Sequence, residues 1–258
     1  MTTGIVDPER LGGLEWTRRT RGVLSGRERR RLLGEVVRGQ AAYVAGRVRL
    51  TTGRVPEGAR ELAVADLRPP DSRFARAAEE ACREQTPGVI GHSYRTWVFG
   101  SGLAALDREP LDPEQFYVAC LLHDHGITHT VPGEDFTLRS AERALRCARD
   151  AGVDHGTADA IADAITVHAT PGIAPAADGA LGSYVQAGAM YDLAALRAGD
   201  LPRGYRDDAI RAHPRAGITA EITQAIAAEA RANPGTRFHL LHRCGLTLLV
   251  RAAPFRPR

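Results

Sequence analysis

The residues best able to do chemistry meet in one short stretch, Leu121-Leu122-His123-Asp124-His125-Gly126. An apolar run ends there in two adjacent side chains that can ligate a metal. Neighbours on an α-helix point about 100° apart, so His123 and Asp124 can approach one ion from its two flanks. An imidazole with a carboxylate suits zinc, manganese, iron or cobalt. Two polar groups at the inner end of a buried helix are costly unless paired or metal-bound. Further candidate ligands stand on separate helical segments. His92 lies upstream, expected in the first turn of its helix. Asp192 lies downstream, inside Gly188-Ala189-Met190-Tyr191-Asp192-Leu193-Ala194, where a carboxylate needs a partner or a metal.

A mostly helical chain must bring these groups together. Asp71-Ser72 caps a run to about Glu84, and His92 to Leu106 follows with apolar residues at helical spacing. Asp112-Pro113-Glu114 is a helix start: an N-cap, a proline at the first position, then an acid near the positive end of the dipole. That helix ends by Gly126. Others are expected at Leu138–Ala151, Thr157–His168, Leu181–Ala198, Thr219–Ala232 and Phe238–Arg251. Strand signals are sparse, so the class is all-α, with a less regular extension over residues 1–70 and the main domain over 71–258. Within the extension, Ser25 to Gly46 reads as a helix, and Val48–Leu50 and Leu62–Leu67 as short strands or loose turns. Pro69-Pro70 closes the extension.

Composition narrows the function classes. The 258 residues are 43% hydrophobic and 25% charged, with a net charge of +3, which describes a globular chain and does not demand a nucleic-acid partner. There is no lysine; all 34 basic residues are arginine. The arginines from Arg18 to Arg31 are interleaved with Leu24, Leu32, Leu33 and Glu28, and read as a solvated helix face or a contact in a homo-oligomer rather than a nucleic-acid arm. No stretch approaches the roughly 18 apolar residues of a membrane span. Asp7, Pro8, Glu9 and Arg10 are unlike a secretory signal. Cys82, Cys120, Cys147 and Cys244 form no metal or redox motif, and read as free thiols in a reducing cytoplasm.

Four stations in order, His92, His123-Asp124 and Asp192, resemble the signature of the HD superfamily of metal-dependent hydrolases. The wording His92-Ser93-Tyr94-Arg95, Ala119 to Gly126, Ala164-Ile165-Thr166-Val167-His168, Gly188 to Asp192 and His213-Pro214-Arg215 is similar to the cyanamide hydratase-like branch over about residues 85–235. The resemblance implies an all-α HD bundle with one divalent ion, zinc first and iron, manganese or cobalt as alternatives, held by His92, His123, Asp124 and Asp192. Two positions differ from the branch: Thr137 stands where an acid is usual, and His125 where an apolar residue is. Both are expected at the substrate pocket.

Such an ion lowers the pKa of bound water from about 15.7 toward about 7, and Asp124 is expected to accept a water proton. The leading expectation is hydration or hydrolysis of a small polar molecule, nitrile-like or amide-like. A nitrile needs an acid for its developing nitrogen anion, with His168 as first candidate and His125 as second. A phosphomonoesterase is the alternative. It would use a guanidinium such as Arg95 on the phosphate, although Arg95 could equally hold Asp124 or Asp192. The HD nucleotidases typically carry an acid three residues after the motif, and this chain has Ile127 there. A two-metal site would need two further histidines among His129, His155 and His168. His155 and His168 are expected at opposite ends of one helix, about 20 Å apart. A non-catalytic metal-binding regulatory module is the third reading.

Overall fold

The computed structural model describes residue 7 and residues 9–255; residues 1–6 and 8, part of the opening read for a secretory signal, lie outside it. Among the described residues there are thirteen α-helices and no strand, so the all-α expectation holds. They are α1 (Leu14–Thr20), α2 (Gly26–Thr52), α3 (Arg73–Cys82), α4 (Pro87–Asp107), α5 (Pro113–Leu122), α6 (Phe136–Ala151), α7 (His155–Val167), α8 (Pro175–Asp178), α9 (Ala180–Ala194), α10 (Arg203–Ala212), α11 (Ile218–Ala232), α12 (Arg237–Arg243) and α13 (Leu246–Arg251). Among the described residues no helix is long and apolar enough to cross a membrane.

The central helix is α5. Asp112 caps it by accepting from the Gln115 N–H at 2.9 Å, with Pro113 at the first position. Every residue from Phe116 to Leu122 is buried, on all faces, as expected of a helix surrounded by others. Helices α3, α4, α6, α7 and α9 pack around it, and their shared core includes Phe99, Leu103, Tyr117, Leu121, Ile161 and Tyr191. A second apolar cluster, with Ile218, Ile222, Ile226 and Phe238, joins α11 to α12 and α13.

Several boundaries move from the expected ones. Helix α4 begins at Pro87, so His92 sits in its second turn rather than its first. Glu221 of α11 makes the earlier start, accepting from the Gly88 N–H at 3.0 Å and so satisfying a free donor at the helix entry. Helix α9 stops at Ala194 because Ala195 turns left-handed, at φ 56°. The expected Phe238–Arg251 helix is two helices, since Gly245 takes φ 92°. Val48–Leu50 continues α2, and Leu62–Leu67 holds a 3₁₀ turn at Val64–Asp66.

The N-terminal segment is wired into the body. Arg10 pairs with Asp163, and the Leu14 N–H donates to the same carboxylate at 2.9 Å. Arg237, fully buried, reaches the Gly12 carbonyl, the Thr166 carbonyl and Thr170 Oγ1 while its guanidinium lies 5.0 Å from the Trp16 ring. One cation thereby ties the chain start, the end of α7 and α12 together.

Helices α4 and α9 pack against each other along much of their length. A Cβ on Gly188 would lie 2.2 Å from the Thr96 carbonyl oxygen, and one on Gly100 would lie 2.7 Å from the Tyr184 carbonyl oxygen. These are backbone atoms that cannot swing aside. Alanine at position 188 would gain about 1 kcal/mol of helix propensity, but forcing the helices apart costs about 1–3 kcal/mol. Because Gly188 lies one turn before Asp192, separation also pulls that carboxylate from α4. Gly188→Ala is therefore expected to lower the melting temperature, by about 2–4 °C per kcal/mol lost, with thermal denaturation as the check. A melting temperature at or above the parent's would contradict the close approach.

Candidate metal centre

The end of α5 places two of the expected residues. The helix closes at Leu122, and Asp124 leaves helical geometry at φ −104°, ψ 9° before a 3₁₀ turn over His125–Thr128. The break frees Asp124 from the 100° offset of a continuous helix. Gly126 fixes it: its N–H donates to Ser140 Oγ at 2.8 Å, and a Cβ there would lie 2.2 Å from the Phe136 carbonyl. His123 and His92 have no exposure, and Asp124 very little.

His92, His123 and Asp124 each bring one ligand-type atom to within 4.8 Å of the others. Asp124 Oδ2 is 3.6 Å from His92 Nε2 and 3.4 Å from His123 Nε2. Atoms about 2.0–2.2 Å from one ion at tetrahedral angles stand about 3.3–3.6 Å apart, so this spacing fits a shared ion. His168 adds a third imidazole on the other side of the carboxylate, Nε2 3.7 Å from Asp124 Oδ1, and its ring lies edge-on to His123 at 4.9 Å.

The hydrogen bonds select the tautomers. His123 Nδ1 faces the Cys120 carbonyl at 2.8 Å, His168 Nδ1 faces the Ile165 carbonyl at 2.5 Å, and His92 Nδ1 faces Asp192 Oδ2 at 2.8 Å. Those partners only accept, so each Nδ1 carries the hydrogen. A neutral ring then presents its Nε2 lone pair. Among the described residues, the Nε2 atoms of His92 and His123 are buried without a hydrogen-bond partner. Lone pairs converging on a carboxylate repel unless a proton or a cation lies between them, and a divalent metal suits this set of nitrogen and oxygen donors.

Burial lowers the pKa of His92 and of His168, keeping both rings neutral. For His123, burial also lowers it, but the neighbouring Asp124 charge outweighs that and leaves it raised. Asp124 is pushed up by burial and carried well below the ordinary carboxylate value by His123, His168 and His92.

Asp192, expected among the ligands, stands one step behind. Both its oxygens are engaged: Arg95 forks onto them, Nε to Oδ1 at 2.8 Å and Nη2 to Oδ2 at 2.9 Å; His92 takes Oδ2; and Arg215 pairs with Oδ1 while donating to the Asp192 carbonyl at 2.7 Å. It orients His92, as carboxylates commonly orient metal-binding imidazoles. The physical reason is charge: two buried guanidinia need an anion beside them. Arg95 thus serves the second of its two expected uses, and its Nη1 goes to the His213 and Pro214 carbonyls. Arg215 was not singled out. It sits in the His213-Pro214-Arg215 station, with no acid beside it in sequence to mark its partner.

His125 does not enter the cluster. Its Nε2 bonds Glu84 at 2.8 Å near the surface, beside Arg143, because the 3₁₀ turn rotates it away from Asp124. Thr137 is also outside the pocket, buried against Asp135 at 2.6 Å and Arg237 at 3.1 Å. His129 and His155 are exposed, and His155 opens α7 while His168 follows its last residue, as the length argument required.

Above His123, Asp124 and His168 opens a chamber of about 200 Å³, walled by side chains such as Ile127, Met190, Leu193, Ile222, Ile226 and Phe238 and roofed by Glu35, Val36, Gly39 and Gln40 of α2. A wider cleft of about 800 Å³ lies elsewhere, between residues 49–55 and α10, and contains none of the cluster. No protein-family model matches this chain, and no curated protein matches it.

Asp192→Asn is expected to destabilise the protein by about 3–5 kcal/mol by leaving two buried guanidinia without their anion. The pH dependence follows from the depressed pKa: burial raises Asp192, but Arg95, Arg215 and His92 carry it well below its ordinary value. Its stabilisation is therefore complete above the unfolded-state value of about 3.9 and lost as pH falls below it toward the folded-state value. Denaturant titrations should show a constant gap between parent and variant from about pH 8 to 5, shrinking below about pH 4. A gap that widens in acid would contradict this assignment.

Proposed function

We propose that this chain is a metal-dependent enzyme of the HD type that uses one divalent ion, zinc first among the candidates, to activate water for hydration or hydrolysis of an uncharged substrate with a nitrile-like or amide-like group. The observation that carries this is the pair of buried, unpartnered Nε2 atoms of His92 and His123 turned toward Asp124. When bound, the ion would supply hydroxide at neutral pH.

The chain's own residues divide the remaining work. His92, His123 and Asp124 hold the ion, and Asp192 holds His92. His168 faces the chamber with a neutral, hydrogen-bonded ring whose Nε2 is free to take a proton and return it, the task of a general acid–base. Asp124 Oδ1, 3.7 Å from that nitrogen, favours the protonated form while it lasts. Phosphomonoester hydrolysis finds less support, since a phosphate dianion wants arginines, and the two beside the cluster, Arg95 and Arg215, are committed to Asp192.

The expected results are one equivalent of zinc or a similar ion per chain by elemental analysis, release of amide or urea from nitrile-type substrates, and no phosphate from a generic phosphomonoester. Asp124→Ala should lose both metal and turnover. His168→Gln should keep the metal and lose turnover by about 10²–10⁴-fold, the usual worth of a general acid–base group. His125→Ala should keep both. Tightly held metal in Asp124→Ala would overturn the assignment.

A further inference from the structure

The chamber above the cluster is more apolar than a small polar substrate requires. Its floor is polar, through His123, Asp124 and His168, while most of the rest of its lining is aliphatic or aromatic. The few other polar side chains are already engaged. Gln186 donates to the His168 carbonyl at 2.5 Å and the Thr170 carbonyl at 2.7 Å, Gln40 donates to the Cys244 carbonyl at 3.3 Å, and Glu35 pairs with Arg38. No arginine lines the chamber. A charged or many-hydroxyl substrate would lose its water there and find few partners. The volume, about 200 Å³, also exceeds what a head group alone would fill. An apolar cavity of about 150 Å³ accepts benzene, whereas sites for drug-sized ligands run from about 300 Å³ upward.

Resting on the metal-enzyme reading above, we infer that the substrate is an organic nitrile with an uncharged hydrocarbon body of about ring size, the body lying among Leu193, Ile222, Ile226 and Phe238 and the C≡N head on His123, Asp124 and His168. The balance is simple hydration. The water oxygen bonds to the nitrile carbon, and one π pair moves to nitrogen. The nitrogen takes a water proton through His168 Nε2. The resulting imidic acid then moves its hydroxyl proton to nitrogen and leaves as the amide. No oxidant or reductant is needed.

The walls act through burial, so selectivity should follow the area of the body. Cyclohexanecarbonitrile should be hydrated with a kcat/KM at least about tenfold above that of cyanamide, which has the same head and no body. Cyclohexanecarboxamide, the corresponding product, should bind by calorimetry with a negative heat-capacity change, the mark of apolar burial. Binding is measured on both metal-loaded and metal-free protein. Ile226→Trp, which fills the chamber, should abolish amide binding while leaving zinc content at one per chain. Should that variant not fold, Ile226→Ala is expected to raise kcat/KM for a bulkier nitrile, decahydronaphthalene-2-carbonitrile, relative to cyclohexanecarbonitrile. Equal or better kcat/KM for cyanamide, or no amide binding to either form of the protein, overturns this inference. A chain that takes up no metal and hydrates no nitrile, yet binds the amide with a negative heat-capacity change, sinks the metal-enzyme reading and leaves the chamber's preference for a hydrocarbon body standing.

Discussion

A carboxylate with no exposure to solvent, Asp192, joins three separate parts of the chain. It receives Arg95 and His92 from α4, Arg215 from the turn before α11, and belongs itself to α9. Burying one charge is expensive, and burying three is tolerable only when they meet with good geometry and no proton or lone pair left over. The forked Arg95 contact meets that demand. It requires α4 and α9 to lie almost in backbone contact, which Gly188 and Gly100 permit. The rotation of α4 is then no longer free. With Arg95 locked on Asp192, His92 on the same face must aim its Nε2 at the end of α5.

The polar cluster sits at a discontinuity. From Phe116 to Leu122 every side chain of α5 is buried in the core, and His123 and Asp124 come only where the helix breaks. The break at Leu122 presents His123 and Asp124 side by side, and the end of α7 supplies His168 from across the core. Each imidazole is oriented by what its other nitrogen donates to: two backbone carbonyls and one carboxylate. The result is a small polar floor under apolar walls. Low polarity strengthens every electrostatic contact at the floor and penalises any charged guest that the walls cannot pair.

Much of this was readable along the chain. The caps Asp71-Ser72 and Asp112-Pro113 and the helical spacing of apolar residues give the all-α class. Histidine and carboxylate at helix ends or inside apolar helices mark positions that need a partner. His92, His123 and Asp124 do meet, and His168 joins them. The misplacements have local causes. His125 stands beside Asp124 in sequence and Thr137 opens a helix next to the cluster's neighbours, but a 3₁₀ turn and an N-cap to Asp135 point them elsewhere. The split of the last helix depends on Gly245 adopting a left-handed turn, which a periodicity reading passes over.

The sequence by itself therefore determined the helical class and the residue types that can bind an ion, since both rest on short-range physics: capping, periodicity and donor chemistry. Only the tertiary structure decided that Asp192 serves two arginines and a histidine before any ion, that Arg215 is its partner, and that the space above the cluster is lined with hydrocarbon. Those outcomes depend on which charges and which apolar faces are brought together from distant positions. A buried charge chooses its partner by proximity in space, and nothing in the linear order of α4, α9 and the 213–215 turn states that distance.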